Sequence, residues 1–246
     1  MDKLLYVAMS GAKETLRAQA ANSHNLANAN TTGFKADLSA FQSRAVTGPG
    51  YASRVYATDS SVGWDRSAGA QITTGNPFDV AVQGPGFIAV QDAQGNEAYT
   101  RGGDLHVDPN GQLMTAAGLQ VLGDNGPVSV PPFSSATVGP NGTISIVPLG
   151  QTPQTISNVG RIKLVNPPSD TISRSADGLF RTSDGQPAVA DASTTIASGV
   201  LEGSNVDLAG SMVNMIELSR NFDLQIKALH AAEDNGSASA KLLQSS

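Results

Sequence analysis

The chain has 246 residues, of which only 36 are charged, 15 basic and 21 acidic, with 26 Gly, 13 Pro and no Cys. That length holds one or two domains with a sizeable core, and the absence of Cys excludes a disulfide scaffold and Cys-based zinc or iron–sulfur sites. A net charge of −6 with scattered Lys and Arg argues against non-specific nucleic-acid binding.

No apolar run approaches the ~20 residues that span a bilayer. The opening apolar stretch runs only from Leu4 to Met9 and is followed by Lys13, Glu14 and Arg17. It therefore predicts neither stable membrane insertion nor a cleaved signal peptide.

Proline divides the sequence into three parts. All 13 prolines lie between Pro49 and Pro187, so long helices are expected only at the two ends and strands and turns between them. At the first end, Leu5, Met9, Ala12, Leu16, Ala20 and Ala27 fall on one helical stripe, with Ser23 completing it. The stripe should stop near Asn30-Thr31-Thr32-Gly33. Asn22, Asn25 and Asn28 recur every three residues. Asn is a mediocre helix former, and the pattern fits either a solvated, capped helix end or an amide ladder that fixes the register of neighbouring helices.

Residues 45–75 show no clear period and read as a linker or extended arm. Beyond them, Phe78, Val80 and Val82 alternate with Asp79 and Ala81, and Gly84-Pro85-Gly86 leads into Phe87-Ile88-Ala89-Val90, which together predict a hairpin. Pro109-Asn110-Gly111 and Pro140-Asn141-Gly142 predict type I turns closed by a left-handed Gly. Asp177-Gly178 and Asp184-Gly185 are further turn signals. Many short strands at close turn spacing suggest an antiparallel sandwich or small barrel-like domain.

At the last end, Ser204-Asn205-Val206-Asp207 offers capping chemistry. Leu208, Met212, Met215, Ser219, Phe222, Ile226, Leu229, Glu233, Gly236, Ala240 and Leu243 then step by four and three, a heptad stripe interrupted at Ser219, Glu233 and Gly236. Val213, Ile216 and Leu218 flank it. The expected fold is mainly β with terminal α-helices. Its parts are an N-terminal helix and turn (1–44), a linker (45–75), a central antiparallel β domain (76–204) and a C-terminal heptad helix (205–246). The helices are expected to pair as a coiled coil on assembly, because two thin helices cannot keep both stripes dry alone.

Catalytic signals are weak. His24, His106 and His230 have no partner at metal-ligand spacing, and phosphate-cradle and nucleophile-elbow motifs are absent. Ser10-Gly11-Ala12-Lys13 fits Ser-x-x-Lys without its companion motifs. Asp79, Asp92, Asp104, Asp108 and Asp124 could in principle supply a carboxylate pair, but Asp104 and Asp124 sit beside Gly or Asn and Asp108 opens onto Pro109-Asn110-Gly111, where turn formation is the default. Neither an enzyme nor a cofactor is expected.

Ser23-His24-Asn25-Leu26-Ala27-Asn28-Ala29-Asn30-Thr31-Thr32-Gly33-Phe34-Lys35 closely resembles the N-terminal motif of bacterial flagellar rod and hook proteins. Thr32 stands where Pro is commoner in that motif, which leaves the turn less stiff. Thr74 to Phe87, Tyr99 to Leu113 and Leu201 to Glu217 are similar to other segments of the same family, so the resemblance reaches both ends and the middle. Length sets the chain apart from the longer hook subunits and the shorter rod proteins and suits the proximal and distal rod types alike, whereas the opening Met1-Asp2-Lys3-Leu4-Leu5-Tyr6 and Ser219-Arg220-Asn221-Phe222-Asp223-Leu224-Gln225 resemble the proximal type more than the distal.

The resemblance implies a structural subunit of the basal-body rod, spanning the periplasm. It would be exported by the flagellar type III apparatus without a cleaved signal, and would polymerise through its terminal helices with other copies of itself and neighbouring rod proteins into a tube that transmits torque. The implied assembly residues are Leu5, Met9, Leu16, Asn22, Asn25, Leu26, Asn28, Gly33 and Phe34 at one end. At the other they are Leu208, Met212, Met215, Ile216, Phe222, Ile226 and Leu229. The alternatives are a distal rod subunit and a peptidoglycan-cleaving enzyme working beside the rod through an Asp pair.

Overall fold

A computed structural model describes residues 3–45, 55–152, 154–175 and 177–244. In chain order the elements are α1 (Lys3–Ala27), β1 (Asp37–Ala45), β2 (Val55–Trp64), β3 (Gln71–Thr73), β4 (Val80–Gln83), β5 (Phe87–Gln91), β6 (Glu97–Thr100), β7 (Leu105–Val107) and β8 (Leu113–Thr115). There follow β9 (Gln120–Gly123), β10 (Gly126–Pro127), β11 (Phe133–Val138), β12 (Thr143–Pro148), β13 (Ser157–Arg161), β14 (Leu164–Val165), β15 (Ile172–Arg174), β16 (Phe180–Thr182), β17 (Thr195–Ser198), β18 (Val200–Glu202) and α2 (Leu208–Gln244). The fold is mainly β, antiparallel throughout the described ladders, with a helix at each end.

The chain divides into two compact units. One holds residues 1–29, 36–65 and 206–246, and the other holds 30–35 and 66–205. In the helical unit, α1 packs against α2 and also against β1 and β2. β1 and β2 form a two-stranded ribbon with a bulge between Leu38 and Ser39. The span 45–75 thus contains β2 and β3; its residues 46–54 lie outside the described ones.

In the β unit a nine-stranded open sheet runs β15-β16-β6-β5-β9-β8-β7, with β10 added at β9 and β14 at β5. It is not a closed barrel. A three-stranded sheet, β11-β12-β13, carries part of the same core. Val80, Ile88, Val90, Leu105, Leu113, Val121, Ile144, Ile146, Ile162 and Leu164 are fully buried in that core. Each such side chain contributes roughly 1.5–3 kcal/mol relative to exposure.

Both Pro-Asn-Gly turns close hairpins, β7–β8 and β11–β12. Gly111 has φ 81° and Gly142 has φ 83°, the left-handed position that Gly occupies without a Cβ clash. Asp108 Oδ1 accepts from the amides of Asn110 and Gln112, locking the first of these turns. Asp177-Gly178 likewise closes β15–β16.

The hairpin expected across Gly84-Pro85-Gly86 does not form. β4 pairs with β17, while β5 pairs with β6, β9 and β14. The reason lies in Arg101, whose guanidinium donates to the carbonyls of Val82 (3.1 Å), Gly84 (2.6 Å) and Gly86 (2.8 Å). Carbonyls that a tight hairpin would aim at amides across the turn instead converge on one cation, and the two strands part into different sheets.

Candidate assembly surface

α1 and α2 run antiparallel. Asn22 Nδ2 donates to the carbonyl of Ser211 (2.7 Å) near one end of the pair. Towards the other end, a Cβ on Gly11 would lie 3.0 Å from Cδ of Gln225. One covered line of α1 is Ala8, Gly11, Thr15, Ala18, Asn22 and Asn25, with Ala12 and Glu14 buried beside it, and that of α2 is Ser211, Met215, Leu218, Phe222, Gln225, Leu229 and Ala232. Each set alternates in steps of three and four, the spacing of a helix–helix seam. On the α1 side the seam is small and polar, so it permits close approach but buries little apolar area.

The stripe read from the sequence of α2 shares Met215, Phe222 and Leu229 with this covered face, while its intermediate positions lie one residue further on. Leu208, Met212 and Ile216 consequently stand about half exposed, at 47%, 51% and 55%. On α1, Met9 and Leu16 stand out in the same way, at 53% and 49%. Tyr6 and Leu224, which the stripe did not include, are exposed as well, as is Val213. Leu5, Leu26 and Ile226 are half-buried. The register follows from what α1 offers. Gly11, Ala18 and the Asn22 amide select Gln225, Ser211 and their heptad neighbours, and Leu208, Met212 and Ile216 are turned outward.

The three asparagines each bond within the chain. Asn22 binds Ser211, Asn25 binds the backbone of Asp37, and Asn28 Nδ2 donates to the His24 carbonyl one turn back. Asn22, Asn25, Asn214 and Asn221 also line an open groove among α1, β1 and α2. His24 Nδ1 lies 2.6 Å from Asp37 Oδ2.

Gly33 and Phe34 belong to the β unit. Gly33 has φ 69° and its amide donates to the Glu202 carbonyl, while the ring of Phe34 lies 4.3 Å beneath the Arg174 guanidinium. Both are buried.

Among the described residues no cluster of three His, Asp or Glu side chains could hold a metal ion. Of the five aspartates considered for a carboxylate pair, Asp108 binds its own turn amides, and Asp92 binds both its turn amides and Arg181. The Arg181 contact holds the Asp92 carboxyl below the usual carboxylate range, against the opposing effect of burial. Backbone donation from Gln112 does the same for Asp108.

Residues 5–35 match the family described as Flagella basal body rod protein, residues 81–146 the Flagellar hook protein FlgE/F/G D1 domain, and residues 197–242 the Flagellar basal body rod FlgEFG protein C-terminal. Flagellar basal-body rod protein FlgF of Escherichia coli K12 is 41% identical over the whole of both chains, and its counterpart in Salmonella typhimurium LT2 is 42% identical over the same extent. The chain belongs to the flagellar basal-body rod protein family. A more distant relative, the rod protein FlgG of Bacillus subtilis, is 30% identical over 95% of this chain and 96% of its own.

The family assignment makes the chain a structural rod subunit of the basal body, built into an assembly with other basal-body components. Within this rod subunit no helix among the described residues is long and apolar enough to cross a membrane. What sequence reasoning missed is a buried ion cluster, Lys35–Glu202–Arg101, whose members lie up to 167 residues apart. No local pattern could signal it, although all three residues stand inside family-like segments.

Proposed function

We propose that this rod subunit belongs to the proximal part of the rod and joins neighbouring subunits, its own copies and other rod proteins, through the outward faces of α1 and α2. The observation that carries the reading is the mismatch between the covered seam and the apolar residues. The seam inside one chain is lined on α1 by Ala, Gly, Thr and Asn. Met9, Leu16, Leu208, Met212 and Ile216 stay at about half exposure. Covering such residues in a neighbour's groove removes apolar area from water at roughly 25 cal/mol per Å².

The helix pair would form coiled-coil contacts in a helical tube through heterologous, non-closing interfaces. Torque would then pass between subunits by contact, with no chemical step. The reading includes export as an unfolded chain through the flagellar type III apparatus. It also includes the periplasm-spanning rod as the place of work.

The test replaces Met212 with Asp. The expected result is a folded chain that no longer enters isolated basal bodies and a cell that does not swim. Normal swimming and normal incorporation would overturn the reading. Because relatives of both the FlgF and FlgG kinds match, the position of the labelled subunit along isolated rods separates the proximal from the distal assignment.

A further inference from the structure

The β unit is connected to the helical unit by four chain crossings, at residues 29–30, 35–36, 65–66 and 205–206. On the β-unit side, the segments that carry these crossings are bound into one buried polar cluster around Glu202. Oε1 of Glu202 accepts from Lys35 Nζ (2.6 Å) and from the amide of Gly69 (3.0 Å). Oε2 accepts from Arg101 Nε (2.9 Å) and Nη2 (2.6 Å). Four donors fill the acceptor sites of one carboxylate, and Lys35 and Glu202 are each 1% exposed.

The backbone of the same segments is stitched together as well. The Gly33 amide donates to the Glu202 carbonyl, the Asn205 amide to Phe34, and the Gly203 amide to Ala70. Lys35 Nζ and Asn205 Nδ2 both donate to the Ser67 carbonyl. Arg174 donates to the Lys35 carbonyl while covering Phe34. Packing is close enough that a Cβ on Gly69 would lie 2.0 Å from the Gly203 carbonyl oxygen.

By contrast, the only strand ladder joining these segments among the described residues, β3 with β18, is three residues long, and all three residues of β3 are exposed. A ladder so short and so wet would unzip readily under tension. We propose that the Lys35–Glu202–Arg101 cluster is a mechanical clasp, which holds the entering and leaving segments of the β unit together so that force arriving along the chain is shared by the whole cluster. Its use in a rotating rod rests on the reading above; its physical content does not. Charge-assisted bonds to one carboxylate suit the task, because they act in parallel and each is stronger than a neutral hydrogen bond.

The full chain can be tested by holding its two ends in an optical trap. Once the α1–α2 pair has parted, tension on the ends loads the β unit, and its first step pulls residues 30–35 away from residues 202–205. Detachment frees the thirty residues 36–65, a step of roughly 100 Å at ~3.3–3.6 Å per residue. Glu202→Gln is expected to lower the force of that first step at least twofold and to leave the later unfolding of the β core unchanged. Asp177→Asn, which removes an ion pair to Arg181 elsewhere in the unit, is expected to leave the first step unchanged.

If Glu202→Gln does not fold, Lys35→Met, which spares the Arg101–Glu202 pair, is expected to give the lowered first step. First-step forces equal to the wild type, equal weakening by Asp177→Asn, or failure of both cluster variants to fold would each overturn the clasp. Failure in the trap leaves rod membership standing. Failure of the Met212 test leaves the clasp standing.

Discussion

Asn25 and Asp37 exchange two hydrogen bonds, Asn25 Nδ2 donating to the Asp37 carbonyl at 2.9 Å and the Asp37 amide donating to Asn25 Oδ1 at 2.7 Å. A side-chain amide here imitates a β-ladder pair and fastens the last turns of α1 to the start of β1. Of the two roles the asparagine repeat suggests, Asn25 thus fills a third: it fixes register within the chain, between a helix and a strand. Asn25→Ala removes both bonds to the partly buried Asp37 backbone, at a cost of about 1–3 kcal/mol. The expected outcome in the folded helical unit is exchange of the Asp37 amide roughly 5- to 100-fold faster, read by hydrogen–deuterium exchange. Unchanged protection at Asp37 would show that this pair carries no stability.

Two neighbouring apolar residues of α2 should behave oppositely. Ile216 is 55% exposed, whereas Leu218 lies in the covered seam. Ile216→Asp should leave the helix pair within about 0.5 kcal/mol of the wild type, as surface changes do, yet block entry into the rod. Leu218→Asp should instead loosen α1 from α2, because a carboxylate there is driven into a seam without a partner. Circular dichroism of the purified chain and immunoblots of isolated basal bodies measure the two effects. If Leu218→Asp folds normally and Ile216→Asp does not, the register described here is wrong.

What the sequence reveals depends on how local the cause is. The terminal helices are legible because proline is confined to 49–187. The Pro-Asn-Gly turns are legible because a few residues contain the whole mechanism, including the left-handed Gly at 111 and 142. The partner of β4 is not legible. Arg101, seventeen residues after Gly84, takes the carbonyls on which the hairpin would depend. The facing side of α2 is illegible for a different reason. Hydrophobic periodicity reports where large side chains lie, whereas Gly11, Ala18 and Asn22 decide which side of α2 can approach. The exposed apolar residues follow the same rule: Met9, Leu16 and Met212 fall on stripes in the sequence and Ile216 flanks one, but only the structure shows that the chain leaves them uncovered. The Glu202 cluster has no local signal at all.

Gly33 is constrained twice. Its φ of 69° is unfavourable for any residue with a Cβ, and a Cβ there would lie 2.2 Å from the Arg101 backbone carbon. Gly33→Ala is therefore expected to displace the Gly33–Glu202 bond and lower the thermal midpoint of the β unit by several degrees. Gly75→Ala makes the comparison: Gly75 has φ 77° with open space around it, so it carries the conformational penalty without the clash. Differential scanning calorimetry should rank Gly33→Ala well below Gly75→Ala. Equal midpoints would mean that the segment from Asn30 to Lys35 is not tightly docked.

Acid should act on the β unit through Glu202. Burial alone would raise its carboxyl. The hydrogen bond from Lys35, the charge of Arg101 and the Gly69 amide outweigh burial and hold it below the ordinary value. A carboxylate depressed on folding contributes stability that is fully present above its unfolded pKa, about 4.3. That stability is lost as pH falls through the lower, folded value. Asp92, Asp177 and Asp191 are depressed as well, the last to about 2 by the hydroxyl and amide of Ser193, so the wild type should weaken steadily below about pH 4. Glu202→Gln removes one contributor to that decline. Its urea midpoint should lie below the wild type at pH 7, and the gap should narrow as pH falls, because the wild-type carboxylate is then neutralised too. A gap that stays constant from pH 7 to pH 3 would show that Glu202 acts through its shape rather than its charge.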